Sequence, residues 1–178
     1  MVVVTRVFEF DAAHRVMNER VKCYNLHGHR FRLEVSFGIS PKFYDLGYPI
    51  DFKELKRVFG AYIDEFLDHA CIVNPKDREV IDLCKRNNWK LWVMGHGADV
   101  DRNPSAENLA EEIFTVFREL AQLSPEEFDV RSVKLYETPN CWVQVSETQN
   151  YLDVGVKNAL FIWRDKKGTF EYDSRRCQ

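Results

Sequence analysis

The chain has 178 residues, of which 45% are hydrophobic and 30% charged, with 8 Gly and 6 Pro. This balance is typical of one globular domain and excludes a disordered or collagen-like chain. The formal net charge of -3, without any run of more than two basic residues, argues against a nucleic-acid-binding protein. Charged residues come too early for a signal peptide, and no apolar run could span a bilayer, so we expect a cytoplasmic protein with no membrane partner.

Two alternating segments open the chain and predict two strands. In the first, apolar residues occupy the even positions from Val2 to His14 with one interruption. In the second, the odd positions from His27 to Phe37 alternate with polar residues or glycine. A period of two residues is that of a strand with one buried face. We therefore expect an antiparallel pair joined by a loop at 15–26.

Helical periodicity follows in two places. Asp51 and Glu54 have the spacing of a capping box, and apolar residues at helical spacing continue from there to Leu67, where the helix should end. A second helix is predicted to start at Ser105, and two further strands alternate over 133–145. Strands grouped in hairpins around helices predict an α+β fold with an antiparallel sheet.

Two segments depart from this simple pattern within the single domain expected over 1–178. Residues 76–104 look like an insertion, and residues from about 147 to 178 form a C-terminal extension. The short elements predicted in these segments are a helix at 78–85, a strand at 89–94 and a hairpin of strands at 159–163 and 169–172.

Three histidines lie at the ends of the first two predicted strands. His27 and His29 project from one face because they are two residues apart, and His14 ends the apolar face of the other strand. If the strands pair, the three imidazoles meet. Three imidazoles with one open position are typical of catalytic zinc, since a fourth protein ligand would leave no place for substrate. The alternative is a His-Gly-His turn beside a polar strand end, but the matching face of His14 favours zinc.

Cys23 lies in the loop between these strands, four residues before His27. A thiol becomes a useful base or nucleophile when nearby positive charge lowers its pKa, and a zinc ion or Lys22 would supply that charge. Alternatively, Cys23 is a fourth zinc ligand, which would make the site structural. No CxxC pair occurs, so the remaining cysteines are expected to be reduced thiols without a role: Cys71, Cys84, Cys141 and Cys177.

Asp68 and His69 directly follow the first predicted helix. A carboxylate can hold the tautomer of an imidazole and raise its basicity, which suits acid–base catalysis, but here the backbone must turn for the two side chains to meet. A histidine near a helix end can also simply stabilise the helix dipole. The residues alone leave both interpretations open.

Glu137 ends the apolar face of a predicted strand, where an unpaired carboxylate would be costly. A planar pair of N–H donors on a heterocycle would suit it, although an internal salt bridge to Arg or Lys is the simpler interpretation. Basic residues around the predicted metal would suit a polyphosphate, but two of them, Arg30 and Arg32, lie on the opposite strand face and fit a solvated surface better. The full set is Arg15, Arg20, Lys22, Arg30 and Arg32.

Together these residues resemble the 6-pyruvoyltetrahydropterin synthase / 6-carboxytetrahydropterin synthase family. Six segments match the motifs of that family in order and cover most of residues 5–146. They are Phe10-Asp-Ala-Ala-His-Arg15, Cys23-Tyr-Asn-Leu-His-Gly-His29, Ile50-Asp-Phe-Lys-Glu-Leu-Lys56, Leu67-Asp-His69, Pro104-Ser-Ala-Glu-Asn-Leu109 and Glu137-Thr138.

The resemblance implies the tunnelling fold, an antiparallel sheet with two helices packed on one face. It also implies rings, typically a homohexamer, with active sites at subunit interfaces. The site residues it implies are His14, His27 and His29 as ligands of Zn2+, Cys23 as the base that abstracts a proton, Asp68 and His69 as the relay for a second proton, and Glu137 as the pterin anchor.

The Cys-x-x-x-His-Gly-His spacing is similar to that of the queuosine-pathway branch of this family. That branch makes 6-carboxy-5,6,7,8-tetrahydropterin, acetaldehyde and triphosphate from 7,8-dihydroneopterin triphosphate, so the resemblance implies a zinc-dependent lyase. One alternative is a 6-pyruvoyltetrahydropterin synthase. The other is a non-catalytic zinc- or pterin-binding module in which His96 or a tail residue completes the metal coordination. Ser105 replaces a common Thr, and the insertion and extension bear on the exact product.

Overall fold

A six-stranded sheet forms the frame of the fold. The computed structural model describes residues 3–18, 22–38, 50–97, 101–124, 129–146, 162–164 and 170–172. The strands are β1 (Val4–His14), β2 (His27–Gly38), β3 (Ala70–Val73), β4 (Leu91–Val93), β5 (Asp129–Thr138) and β6 (Cys141–Ser146). Their order in the sheet is β4-β3-β1-β2-β5-β6. The pairs among β1, β2, β5 and β6 are antiparallel, whereas β3 joins β1, and β4 joins β3, in parallel.

In the described residues, three helices accompany the sheet. Helix α1 spans residues 52–67, α2 is Arg78–Asn87 and α3 is Ala106–Leu123. The predicted starts are confirmed, because the Asp51 side chain accepts a hydrogen bond from the Lys53 N–H and Ser105 caps α3. Helix α1 ends where expected but contains two π-helical stretches, Lys56–Gly60 and Ile63–Leu67. In the part of the chain that the structure describes, no helix has the length and apolar character to cross a membrane.

The main core lies between the sheet and the helices α1 and α3. Ring contacts join the sheet to both helices, with centroids 4.9 Å apart between Phe37 of β2 and Phe59 of α1, and 5.0 Å apart between Phe59 and Phe117 of α3. All three rings are fully buried. The predicted α+β fold with two helices packed on one face is confirmed.

The segment between α1 and α3 adds a second, smaller core on the other side of the sheet edge. Ala70 and Ile72 of β3 join the main core, whereas Cys71 and Val73 pack with α2. The helix and strand predicted in this segment are confirmed as α2 and β4. Strand β3 was not predicted, because a short strand buried on both faces shows no alternation. The tail hairpin is confirmed as β7 (Ile162–Arg164) and β8 (Phe170–Tyr172).

Candidate metal centre and active site

The register of β1 against β2 brings the three predicted histidines together. His14 lies opposite His27, and His29 is two residues further along the same face of β2. The ring centroids are 4.6 Å apart for His14 and His27, 4.9 Å for His27 and His29, and 5.2 Å for His14 and His29. One nitrogen from each ring lies within 4.8 Å of the others. The predicted convergence of the three imidazoles is confirmed.

The hydrogen bonds of these rings fit a bound metal ion. The Nδ1 atoms of His14 and His27 each lie 2.7 Å from a backbone carbonyl oxygen, that of Pro104 and that of Asn25. A carbonyl only accepts, so both Nδ1 atoms carry the proton and both Nε2 atoms keep a lone pair. Histidine ligands of metals are typically oriented in this way.

The Nε2 atom of His14 supplies an independent test of that fit. It is buried and, among the described residues, has no hydrogen-bond partner, although an orphaned buried acceptor costs about 1–3 kcal/mol. Burial lowers the pKa of His14 below its usual value, against the opposing effect of its hydrogen bond to the Pro104 carbonyl. The ring is therefore held neutral, the form that binds a metal ion. The donor set fits zinc.

Glu137 faces this group from β5. The pairing of β5 with β6 shifts register at Glu137, which makes it the extra residue of a β-bulge. Its Oε1 atom lies 3.5 Å from Nε2 of His14 and 4.0 Å from Nε2 of His29. The simpler interpretation, a salt bridge to Arg or Lys, is not seen in the described ranges. The carboxylate is partly exposed beside the histidines, where a substrate could reach it.

Cys23 lies in a 3-10 turn, Lys22–Tyr24, and is half-buried. Its carbonyl accepts a hydrogen bond of 2.8 Å from the Val16 N–H, which folds the loop back onto the end of β1. Within the described ranges, the group of converging metal-ligand atoms contains the three histidines and not this thiol. The structure therefore gives no support to Cys23 as a fourth ligand.

Asp68 and His69 do form the predicted pair. His69 has a left-handed backbone with φ of 60°, and this turn brings its Nδ1 to 2.6 Å from Oδ2 of Asp68. Burial alone would raise the pKa of Asp68, but hydrogen bonds from the Asp11 N–H and from His69 outweigh it and leave that pKa below the usual value. Asp68 is therefore an ionised carboxylate that fixes the tautomer of His69.

The pair is separated from the three histidines of the same chain. The His69 ring is 77% exposed and lines an open cleft of about 490 Å³ beside the side chains of Asp11 and Arg30, and residue His29 of β2 also contributes to the wall of this cleft. Asp11 and Arg30 occupy strand positions that alternate with those of His14 and His29, so their side chains point away from the histidine face. The structure thus places Asp68 and His69 in contact with each other. It does not place this pair in contact with the metal ligands of its own subunit.

Three of the predicted basic residues have acidic partners, and two of them, Arg30 and Arg32, lie on the exposed strand face, which confirms the interpretation favoured for them. The pairing of Arg15 with carboxylates gives no support to its expected place beside a polyphosphate. Arg15 turns away to Asp77 and Glu79, Arg30 pairs with Asp11, and Arg32 pairs with Glu34. Each guanidinium already has an acidic partner, which is more stable than an exposed, unpaired cation cluster. Arg20 lies outside the described residues, and Lys22 is exposed.

Within the described residues, the cysteines form no disulfide. Cys23, Cys71, Cys84 and Cys141 are free, as expected, while Cys177 lies outside the described residues. His96 belongs to a 3-10 turn, but its side chain is outside the described part, so the alternative in which it completes the metal coordination stays a prediction. The Pro104 carbonyl is a partner of His14 that the sequence did not predict, although the Asn-Pro step before a helix cap indicates an ordered turn.

The chain is similar in sequence and in fold to known proteins. Residues 3–148 match the family model described as 6-pyruvoyl tetrahydropterin synthase. A Rickettsia conorii protein named 6-carboxy-5,6,7,8-tetrahydropterin synthase is 39% identical over 149 residues, which are 82% of this chain and 100% of the relative. A Haemophilus influenzae protein of the same name is 31% identical over 151 residues, or 81% and 98% of the two chains. The structure of Caenorhabditis elegans 6-pyruvoyl tetrahydropterin synthase shares the fold, with a TM-score of 0.53 at 23% identity over 82% of this chain and 94% of that chain.

Proposed function

The chain belongs to the 6-pyruvoyl tetrahydropterin synthase family, and on that premise we propose that it is a zinc-dependent 6-carboxy-5,6,7,8-tetrahydropterin synthase of queuosine biosynthesis. Its substrates are 7,8-dihydroneopterin triphosphate and one water molecule, and its products are 6-carboxytetrahydropterin, acetaldehyde and triphosphate. The observation that carries the proposal is the convergence of His14, His27 and His29 around a buried nitrogen without a hydrogen-bond partner among the described residues. The names of the relatives at 39% and 31% identity support the carboxy product.

The three histidines would hold the zinc ion, with the Pro104 and Asn25 carbonyls fixing two of the rings. When bound, zinc supplies Lewis-acid polarisation of the side-chain oxygens of the dihydropterin, which acidifies the neighbouring protons. Glu137 accepts hydrogen bonds from the planar N–H donors of the pterin and so sets which end of the substrate faces the histidines.

Two groups of the chain move protons in the proposed reaction. Cys23 takes a proton from the substrate side chain as the base. His69 delivers or takes the second proton at Nε2, because its Nδ1–H is held by the ionised Asp68. The left-handed backbone at His69 costs on the order of 1 kcal/mol, and strain of this kind is often found at functional residues.

The position of His69 supports an active site shared between subunits. Its exposed ring lies beside Asp11 and Arg30, whose strand positions alternate with those of His14 and His29, and we propose on this ground that a complete site takes His69 from a second copy. We propose a homo-oligomer, a hexamer, in which Cys23 of one subunit meets Asp68 and His69 of another.

Mixing two inactive variants tests the shared site. Cys23→Ala and His69→Ala chains, co-expressed with different tags, are expected to recover activity in oligomers purified on both tags. Random assortment restores about one quarter of the sites, because each restored site needs Cys23 from one chain and His69 from the other. Doubly tagged oligomers as inactive as the parents would place both groups in one subunit. Co-expressed chains that both carry Cys23→Ala serve as the control.

Replacing Glu137 by glutamine is expected to raise the KM for the pterin substrate by roughly 10- to 100-fold. A hydrogen bond to a charged carboxylate contributes about 1.5–3 kcal/mol, and each 1.4 kcal/mol is about a factor of ten. The amide has nearly the same size, so the zinc content should not change. Steady-state kinetics with zinc analysis of the same sample checks both expectations, and an unchanged KM would remove Glu137 from pterin binding.

The product of the reaction tests the proposed function. We expect 6-carboxytetrahydropterin and acetaldehyde, identified by mass spectrometry, after incubation of the zinc-loaded protein with 7,8-dihydroneopterin triphosphate. A product with the mass of 6-pyruvoyltetrahydropterin would reassign the chain to that activity. Zinc-loaded protein that binds the substrate without converting it would be a non-catalytic binding module.

A further inference from the structure

The start of helix α2 contacts the loop that carries Cys23. Asp77 is 1% exposed and caps α2, since its Oδ1 accepts a hydrogen bond from the Val80 N–H. The same carboxylate accepts two hydrogen bonds from the guanidinium of Arg15, one of them 2.6 Å long from Nη2 to Oδ1. Exposed Glu79 adds a contact of 2.9 Å to Nη2. A two-point pair of this kind fixes the orientation of a planar guanidinium as well as its position.

Arg15 links the Asp77 carboxylate to both ends of the loop at 15–26 that carries Cys23. It directly follows His14, and its guanidinium carbon lies 5.5 Å from the centre of the Tyr24 ring, next to Cys23. The backbone bond from the Val16 N–H to the Cys23 carbonyl closes the same loop. The buried carboxylate of α2 is therefore linked through one side chain to the segments on either side of the thiol.

Asn103 holds the loop at a second point. Its side chain accepts a hydrogen bond of 3.0 Å from the Met17 N–H and donates one of 2.9 Å to the Met17 carbonyl. The fully buried Asn74 donates a bond of 2.9 Å to the same oxygen of Asn103. Asn103 also directly precedes Pro104, whose carbonyl orients His14. The hydrogen bonds of Asn103 therefore help to fix the position of a metal ligand as well as the loop.

We propose that Asp77, acting through Arg15, and Asn103, acting through Met17, are positioning residues that hold the Cys23 loop against the metal centre. The function of segment 76–104 is then to hold the loop that carries Cys23 in place. The inference rests on the proposed function for the role of Cys23 as the base. A misplacement of about 1 Å in a reacting group can lower a rate by about 100-fold, so fixing a loop of this length matters for catalysis.

Asp77→Asn is the main test variant. Asparagine is as good a helix cap as aspartate, so α2 should remain capped while the charged pair with Arg15 is lost. Arg15→Lys is the second variant, because lysine keeps the charge but cannot form the two-point pair. Asn87→Ala is the matched control in α2, since among the described residues the Asn87 side chain donates to the Leu83 carbonyl of its own helix and not to the loop.

The expected result separates positioning of Cys23 from general destabilisation. Asp77→Asn and Arg15→Lys should lower kcat by about tenfold or more, with KM and zinc affinity within about threefold of wild type. The rate of alkylation of Cys23 by iodoacetamide, measured on its peptide by mass spectrometry, should change in both variants and not in Asn87→Ala. Zinc affinity is measured by competition with a chromophoric chelator.

A double-mutant comparison completes the test. In a Cys23→Ala background, Asp77→Asn should cause no further loss of the residual rate, because both changes act on the same group. A further loss of the residual rate in that background would overturn the proposal. So would a zinc affinity that falls in step with kcat in Asp77→Asn or Arg15→Lys. A wild-type kcat and a wild-type alkylation rate in these two variants would overturn it as well. If the wild-type protein does not convert the pterin, the proposed function fails, and the alkylation rates still decide whether Asp77 positions Cys23.

Discussion

Replacing Cys23 by alanine is expected to lower turnover by about 100- to 10,000-fold while zinc stays bound. That range is the usual contribution of a general acid or base, and the methyl group of alanine cannot accept the substrate proton. Zinc should remain, because in the described part of the chain the converging ligand atoms come from His14, His27 and His29. The measurement is kcat with 7,8-dihydroneopterin triphosphate, paired with the zinc content per chain.

Cys141→Ala is the matched control for this variant. Cys141 is a free and exposed cysteine on β6, so its loss should leave both kcat and zinc content unchanged. If Cys23→Ala loses its zinc together with its activity, then Cys23 is a metal ligand and the site is closed. The proposed role of Cys23 as the base would then be wrong.

Replacing His14 by alanine is expected to weaken zinc binding by about 100-fold or more and to abolish turnover with it. Loss of an outer-shell partner of a metal ligand already costs about 10- to 100-fold, and here a ligand itself is removed. The change should also make the melting temperature insensitive to added zinc, since a metal stabilises the folded state in proportion to how tightly it binds. Chelator competition and thermal unfolding with and without zinc check these two expectations.

His69→Ala distinguishes a metal ligand from a proton-transfer residue. Its ring is largely exposed and paired with Asp68, so this variant should keep the zinc affinity and the zinc-dependent melting temperature of wild type while it loses turnover. Equal zinc affinity in His14→Ala and wild type would contradict the assignment of the metal centre. Weakened zinc binding in His69→Ala would place its ring in that centre.

The metal centre could be predicted from the sequence because it depends on local periodicity. Alternation places His27 and His29 on the core face of β2 and His14 on the matching face of β1. Antiparallel pairing of the two strands then brings the three rings together. The cap at Asp51 and the end of α1 follow from equally local rules. The π-helical stretches within α1 do not, because they have no comparable signal in the spacing of apolar residues.

The surroundings of the site depend on contacts between distant segments, which periodicity does not encode. The bulge that makes Glu137 an extra residue arises from the pairing of β5 with β6. The turn that joins Asp68 to His69 needs a left-handed residue where no glycine marks it. Asp77, which pairs with Arg15, lies 62 positions away in the chain, so the spacing of residues near Arg15 gives no sign of this pair.

X-ray absorption at the zinc edge tests the central claim most directly, because it counts the ligands of the bound ion. The account predicts three imidazole nitrogens at about 2.0–2.1 Å, one further nitrogen or oxygen scatterer from water or substrate, and no sulfur at about 2.3 Å. A sulfur scatterer in the wild-type protein that disappears in Cys23→Ala, or fewer than three imidazoles around the ion, would contradict it.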